Sequence, residues 1–213
     1  RQVVLAGVSA IGGDLARHPA IDRVLALNHG AQSRTVRRIA RFNHHVQDLL
    51  TGFVKEDWVQ ELDFDSPEKL NQSYITDDLR ERADDVVWRV RFRDQWLYVY
   101  LLLEFQSTVD PSMAVRLLSY VGLLYQDLIR TGQLPDQHTL PPVLPLVLYN
   151  GEPRWTAAQS VRELLPELPE QLHHWQPELR YVLIDEGRYS EAELERLENL
   201  MAALIRAENS PVP

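Results

Sequence analysis

Two adjacent segments with different hydrophobic patterns constrain the fold of this chain more than any other feature. In residues 86–93 a large apolar residue recurs at every second position, which is the pattern of a half-buried β-strand. Residues 96–105 form a nearly continuous apolar run, which is typical of a strand buried on both faces. Only Asp94 and Gln95 separate the segments, so together they predict an antiparallel β-hairpin with a two-residue loop.

This loop fixes the register of the predicted hairpin. One face then pairs apolar residues throughout, as a core face requires: Val86 with Leu103, Trp88 with Leu101, Val90 with Val99, and Phe92 with Leu97. On the other face the same register sets Asp85 directly opposite Glu104, with Cβ atoms roughly 5 Å apart. The strands are therefore predicted to present two carboxylates side by side.

Two neighbouring carboxylates repel each other unless one is protonated or a cation lies between them. Carboxylate oxygens with open positions for water and phosphate suit Mg²⁺ or Mn²⁺. Gln106 projects from the same face as Glu104, because side chains alternate along a strand, and its amide could orient a water or a phosphate oxygen. The alternative is that Asp85, Glu104 and Gln106 are solvated groups at strand ends. Geometry leaves both interpretations open.

Helical and strand patterns surround the hairpin. The apolar residues of Thr35–Val54 have helical spacing, and a second helix is predicted from an N-cap at Asp110 to Gly132. The segments PVLPLVLYNG and RYVLIDE predict a third and a fourth strand, and DFDSPEK predicts a loop. Ser190 and Glu193 have the spacing of a capping box that opens a C-terminal helix. These elements predict an α/β domain with a mixed sheet.

Composition excludes several classes of protein. The chain has no cysteine, so disulfides and thiolate metal sites are excluded. It has no apolar run of membrane-spanning length and no secretory signal pattern, so we expect no membrane partner and a cytoplasmic location. A net charge of −9 argues against strong non-specific attraction to nucleic acid, although residues 1–44 hold seven arginines and only two aspartates.

The residues of the predicted hairpin also resemble a family. An Asp before one strand and Glu-x-Gln at the end of the next look like the PD-(D/E)xK nuclease pattern. The wider segments DDLRERADDVVWRVRFRDQWLYVYLLLEFQS and LPPVLPLVLYNGEPRW resemble the Rpn/YhgA-like family of bacterial transposase-like, recombination-promoting nucleases. The resemblance implies a restriction-endonuclease-like fold, with a mixed β-sheet flanked by helices, and hydrolysis of DNA that depends on magnesium or manganese. It also implies that Asp85 and Glu104 bind the metal and that Gln106 takes the place usually held by Lys.

The resemblance covers residues 42–207. We therefore expect a nuclease-like domain over 42–207, a foreign or poorly ordered segment over 1–41, and a tail over 208–213. The function predicted first is a DNA endonuclease linked to recombination or transposition. The alternative is an inactive nuclease-fold module for binding or assembly, or a decayed copy, because Gln106 lacks the charge of a Lys. A homo-oligomer is left open.

Overall fold

A computed structural model describes residues 43–70, 86–104, 109–136, 138–151, 153–197 and 199–209. The chain divides into two compact units, of which one comprises residues 1–55 with 189–213 and the other residues 56–188. The first unit contains helices α1, α4 and α5, which span Asn43–Phe53, Glu191–Leu197 and Leu200–Asn209. Residues 1–42, and with them the expected atypical segment, lie outside the described residues.

The second unit holds a mixed sheet, as predicted. Within the described residues its strands are β1 Leu62–Lys69, β2 Val86–Phe92, β3 Gln95–Glu104, β4 Val143–Tyr149 and β5 Val182–Asp185, which lie side by side in that order. The pairs β1–β2 and β2–β3 are antiparallel, whereas β3–β4 and β4–β5 are parallel. Helix α2, Met113–Arg130, connects β3 to β4, and a short helix α3, Glu170–His173, precedes β5.

The hairpin of β2 and β3 has a different register from the predicted one. Val86 lies opposite Leu101 and Phe92 opposite Gln95, so the turn is made by Arg93 and Asp94, and every predicted pair is wrong by two residues. Arg93 takes the left-handed backbone conformation (φ 54°) at this turn. A shift of two residues keeps each side chain on its predicted face, which is why apolar pattern could not separate the two registers.

Specific contacts accompany the observed register. Trp96 lies opposite Arg91 in the hairpin. Two guanidinium groups lie over its ring, with the Cζ of Arg91 4.0 Å and the Cζ of Arg89 4.5 Å from the ring centroid. The Arg93 guanidinium donates to both carboxylate oxygens of Glu61, at 2.5 and 3.0 Å. Such cation–π and bidentate contacts are specific to particular residues, so they favour one register where the apolar pattern does not.

The segment predicted as a loop, DFDSPEK, is instead most of the edge strand β1. The β1–β2 register shifts between Asp63 and Glu68, an irregularity that accommodates Pro67, and prolines in sheets are confined to edges and bulges. Glu68 then lies opposite Arg89 and forms an ion pair with it at 2.5 Å. The prediction of a loop was wrong because the turn-rich composition of this segment also suits an irregular, acidic edge strand, which pairs with basic residues on β2.

Helix α2 packs on one face of the sheet through an apolar stripe whose members are all buried: Met113, Leu117, Val121, Leu124 and Leu128. Val87 and Tyr98, on the same face of the hairpin, belong to this core. Trp88 and Val90, on the opposite face, are also buried, so both faces of the hairpin contribute buried residues. The helix ends as predicted at Gly132, whose φ of 67° allows the Gln133 N–H to bond the Leu128 carbonyl.

The start of α2 lies slightly later than predicted. The first helical residue is Met113, and Asp110 accepts hydrogen bonds from the Ser112 N–H at 2.8 Å and its hydroxyl at 2.7 Å. Asp110 therefore organises the turn before the helix.

None of the helices that the structure describes has the length and hydrophobicity that crossing a membrane requires.

The helical unit confirms the predicted capping box. The Ser190 N–H donates to the Glu193 carboxylate at 2.8 Å, and the Glu193 N–H donates to the Ser190 hydroxyl at 3.3 Å. Asn199 joins α5 to α1 by donating its side-chain amide to the Asp48 carbonyl at 3.2 Å. Of the helix predicted over Thr35–Val54, the residues from Asn43 onward are described and are helical to Phe53.

Candidate functional site

The carboxyl ends of the three parallel strands meet at one edge of the sheet. Glu104, the last residue of β3, lies in register with Tyr149, the last residue of β4, and Tyr149 lies in register with Asp185, the last of β5. Neighbouring strands are about 4.8 Å apart, so about 10 Å separates the backbones of Glu104 and Asp185. Open α/β sheets bind ligands outside the carboxyl ends of their strands, so we take this edge as the candidate site.

The predicted residues have different positions relative to this edge. Glu104 ends β3, as predicted, whereas Asp85 precedes the first residue of β2 and Gln106 follows β3 by two positions. Asp85, Gln106 and the side chain of Glu104 lie outside what the structure describes. Since Val86 pairs with Leu101, the start of β2 lies at the same edge as the end of β3. The direct opposition of Asp85 and Glu104 rested on the register that is wrong, and their convergence stays a prediction.

Asp185 and Arg188 are functional candidates that the sequence analysis missed. Asp185 is buried, and its Oδ2 forms an ion pair with the Arg188 Nε at 3.1 Å and accepts a hydrogen bond from the Trp155 N–H at 3.3 Å. A 3₁₀ turn over Glu186–Arg188 folds the arginine back, and its Nη2 also donates to the Trp155 carbonyl at 3.2 Å. The available signal was the Asp within RYVLIDE, because a carboxylate that closes a predicted strand is a candidate for the carboxyl edge of the sheet.

An aromatic cluster packs around Tyr149, the last residue of β4. The Trp155 ring meets Tyr149 edge-on at 4.8 Å between centroids and Tyr181 at 6.4 Å. The Trp155 Nε1 donates to the Tyr181 hydroxyl at 3.1 Å, which donates in turn to the Ala158 carbonyl at 2.9 Å. Burial raises the pKa of Tyr181 to about 12, so this hydroxyl stays neutral. The cluster holds the segment after β4 against the ends of the strands.

The described residues do not by themselves form a metal site. Among them, no group of three His, Asp or Glu side chains lies close enough to hold a metal ion. Asp185 lies in register with Glu104 through Tyr149, and it is already paired with Arg188. The expected metal site therefore depends on Asp85 and Glu104, whose oxygen-only donors suit Mg²⁺.

The arginines of β2 and of the turn that follows it lie in internal contacts. Arg89 pairs with Glu68, Arg93 pairs with Glu61, and Arg91 stacks on Trp96. Acids and one aromatic ring of the same unit therefore already contact these three arginines. Arg80 and Arg82, which precede Asp85 in the sequence, lie outside the described residues.

Comparison with known proteins identifies the family. A family described as "Putative transposase, YhgA-like" matches residues 33–209, which is most of the chain. The chain belongs to this family. The match includes the resemblance expected over 42–207 and extends it toward the N-terminus.

Named relatives of this YhgA-like chain come from Escherichia coli. It is 38% identical over 81 residues to the recombination-promoting nuclease RpnA of strain K12, which covers 38% of this chain and 26% of RpnA. It is 30% identical over 105 residues to the recombination-promoting nuclease RpnD of strain O157:H7, which covers 49% of this chain and 39% of RpnD. It is 35% identical over 80 residues to RpnE of strain K12, named an inactive recombination-promoting nuclease-like protein, covering 38% of this chain and 25% of RpnE.

These matches span between a quarter and two fifths of the length of the relatives. No solved structure matches the chain.

Proposed function

We propose that this YhgA-like chain is a metal-dependent DNA endonuclease that acts in recombination or transposition and has a restriction-endonuclease-like fold. The observation that carries the proposal is the position of Glu104, the last residue of β3, at the edge where three parallel strands end. Asp85 comes directly before β2, whose start lies at the same edge. Relatives named recombination-promoting nucleases support DNA as the substrate.

In the proposed reaction, Asp85 and Glu104 would hold the metal through their carboxylate oxygens. Bound Mg²⁺ would lower the pKa of a coordinated water and offset negative charge on the scissile phosphate. Gln106 hydrogen-bonds and orients the attacking water, because an amide can both donate and accept. An amide supplies no positive charge, so the transition state needs a cation other than the lysine that usually stands here.

The test is nicking of supercoiled DNA by the intact chain. We expect cleavage in Mg²⁺ or Mn²⁺, none in excess chelator, and none after Glu104→Ala or Asp85→Ala. Glu170→Ala is a matched control, because Glu170 is an exposed acid at the start of α3 and belongs to none of the strands. Cleavage that persists in chelator or in both site variants would contradict the proposed centre.

A second candidate is a nuclease-fold module that binds DNA or a protein partner without cutting. The specific observation in its favour is Gln106 in the lysine position, together with a relative, RpnE, that is named inactive. This candidate predicts DNA binding by the intact chain and no nicking with any divalent metal. Nicking that requires Glu104 would exclude it.

A further inference from the structure

We propose that Arg188, anchored by Asp185, binds a DNA phosphate at the carboxyl edge of the sheet and supplies the positive charge that Gln106 lacks. This inference rests on the proposed nuclease function and adds a phosphate-contacting residue to it. Arg188 does not belong to the Asp, Glu-x-Gln pattern, and it follows Glu104 by 84 positions along the chain. Only the fold brings it to the same edge.

The guanidinium of Arg188 is held in place, but some of its N–H donors remain available to a ligand. Its Nε forms an ion pair with Asp185 and its Nη2 donates a hydrogen bond to the Trp155 carbonyl, so two contacts restrict the planar group. A guanidinium has five N–H donors, and within the described part of the chain Arg188 has no further hydrogen-bond partner. Its side chain is 49% exposed, whereas that of Asp185 is 3% exposed. The pair therefore presents its cation to solvent and buries its anion.

The buried Asp185 carboxylate contributes more to the orientation of Arg188 than to the stability of the fold. Desolvation of a buried ion pair offsets much of its attraction, so such pairs contribute little net stability. The ion pair with Asp185 and the hydrogen bond to the Trp155 carbonyl do restrict the rotamers of this long side chain. A guanidinium that is already oriented loses less entropy when it binds phosphate, and its planar donors match phosphate oxygens.

The position of the pair fits a substrate that also reaches Glu104. Asp185 and Glu104 are two strands apart in one register, at about 10 Å between backbones. A DNA strand rises about 3.4 Å of helix axis per nucleotide, so a few nucleotides cover this distance. One strand could therefore contact the proposed metal at Glu104 and a cation at Arg188.

The chain contains a matched control pair. Arg130 and Asp127 are also three residues apart, and they too combine an exposed arginine with a buried aspartate in direct ion-pair contact. Arg130 ends α2, which runs back from the carboxyl end of β3, so it lies roughly 27 Å of helix length from Met113. A change at Arg130 removes the same charge from the same kind of pair at the opposite edge.

The experiment measures binding of a short labelled duplex over a range of salt concentrations, with Ca²⁺ in place of Mg²⁺, alongside nicking in Mg²⁺. For Arg188→Gln we expect the slope of log affinity against log salt to fall in magnitude by about 0.9, the value for one lost phosphate contact. Affinity near 0.1 M salt should fall roughly fivefold to tenfold by the same relation. Arg130→Gln should keep the slope and the nicking rate of the unaltered chain.

Two further variants separate the charge from its anchor. Arg188→Lys retains the charge, so we expect it to restore the salt slope. Asp185→Asn leaves the cation but loosens it, so nicking should slow while the slope stays near that of the unaltered chain. If Arg188→Gln does not fold, as judged by its thermal transition, these two variants carry the test.

The outcomes distinguish the inference from the function beneath it. DNA binding and nicking that are identical in Arg188→Gln and the unaltered chain would overturn the role of Arg188 and leave the nuclease proposal intact. An equal loss of slope in Arg130→Gln would also overturn it, because the effect would then follow net charge and not position. A chain that binds no DNA would overturn the proposed function and this inference together.

Discussion

The hydroxyl of Tyr149 occupies the space where a side chain on Gly151 would begin. A Cβ added to Gly151 would lie 2.2 Å from the Tyr149 Oη and 2.4 Å from its Cζ. Tyr149 is completely buried, and its hydroxyl donates to the Pro153 carbonyl at 2.8 Å. The ring therefore cannot move aside cheaply, and the chain after β4 passes directly against it.

Gly151→Ala should lower the free energy of unfolding by about 1–3 kcal/mol, the usual cost of forcing extra atoms into a packed site. Urea denaturation followed by tryptophan fluorescence would measure the change. Gly122→Ala is the matched control, because no atom lies within 4 Å of a Cβ there and alanine favours helix α2 by up to about 1 kcal/mol. An unchanged stability in Gly151→Ala would contradict the packing described for Tyr149.

Tyr181 should make stability fall at high pH. Burial raises its folded pKa to about 12, above the unfolded value near 10. Its contribution is therefore fully present below pH 10 and is lost as the pH rises toward 12. We expect the unaltered chain to be more stable than Tyr181→Phe at pH 8, because the variant loses the hydroxyl bonds to Trp155 and Ala158.

That difference should narrow between pH 10 and 12, which denaturant melts at successive pH values would show. A constant difference between the two proteins across this range would mean that Tyr181 ionises alike in the folded and unfolded chains.

Truncation of Gln106 should reduce DNA nicking less than truncation of Asp85 or Glu104. Gln106→Ala removes a hydrogen bond that positions water and leaves the metal ligands in place, so nicking should slow without being abolished. Gln106→Lys adds the positive charge usual in the wider superfamily and should raise the rate if the ammonium reaches the phosphate. Initial nicking rates at saturating Mg²⁺ measure both. Loss of cleavage in Gln106→Ala equal to that in Glu104→Ala would show that Gln106 itself holds the metal.

Arg93 should not contribute to DNA binding. Arg93 already donates hydrogen bonds to both carboxylate oxygens of Glu61. It lies in the hairpin turn, which adjoins the start of β3, whereas Glu104 is the last residue of that strand. Arg93→Gln should therefore leave the salt slope of DNA binding unchanged. The Arg93 hydrogen bond lowers the pKa of Glu61, so any stability that this exposed pair contributes is lost only at acidic pH. A reduced salt slope would show that Arg93 exchanges Glu61 for phosphate.

Local rules placed most of the described elements correctly. The capping box at Ser190 and the glycine at 132 act over three to five residues, so the sequence alone specifies their hydrogen bonds. The alternation in β2 and the apolar run of β3 also specified strands, because burial on one or both faces is written directly into side-chain polarity.

Register and edge pairing could not be predicted in this way. Two registers of the hairpin keep the same faces, so the contact of Arg91 with Trp96 and the bond of Arg93 to Glu61 lay beyond the apolar pattern. The strand β1 has the composition of a loop, and it is a strand because β2 offers Arg89 to Glu68. Each of these contacts joins residues from different segments, so the hydrophobic pattern within one segment could not predict it.

The candidate site divides in the same way. Sequence by itself determined the family and the position of Glu104 at a strand end, because both depend on residues close together in the chain. Only the tertiary structure decided that Asp185 and Arg188 share that edge, since it took the parallel pairing of β3, β4 and β5 to bring them into register. Parallel neighbours are joined by long connections, so no local pattern states which strand ends will meet.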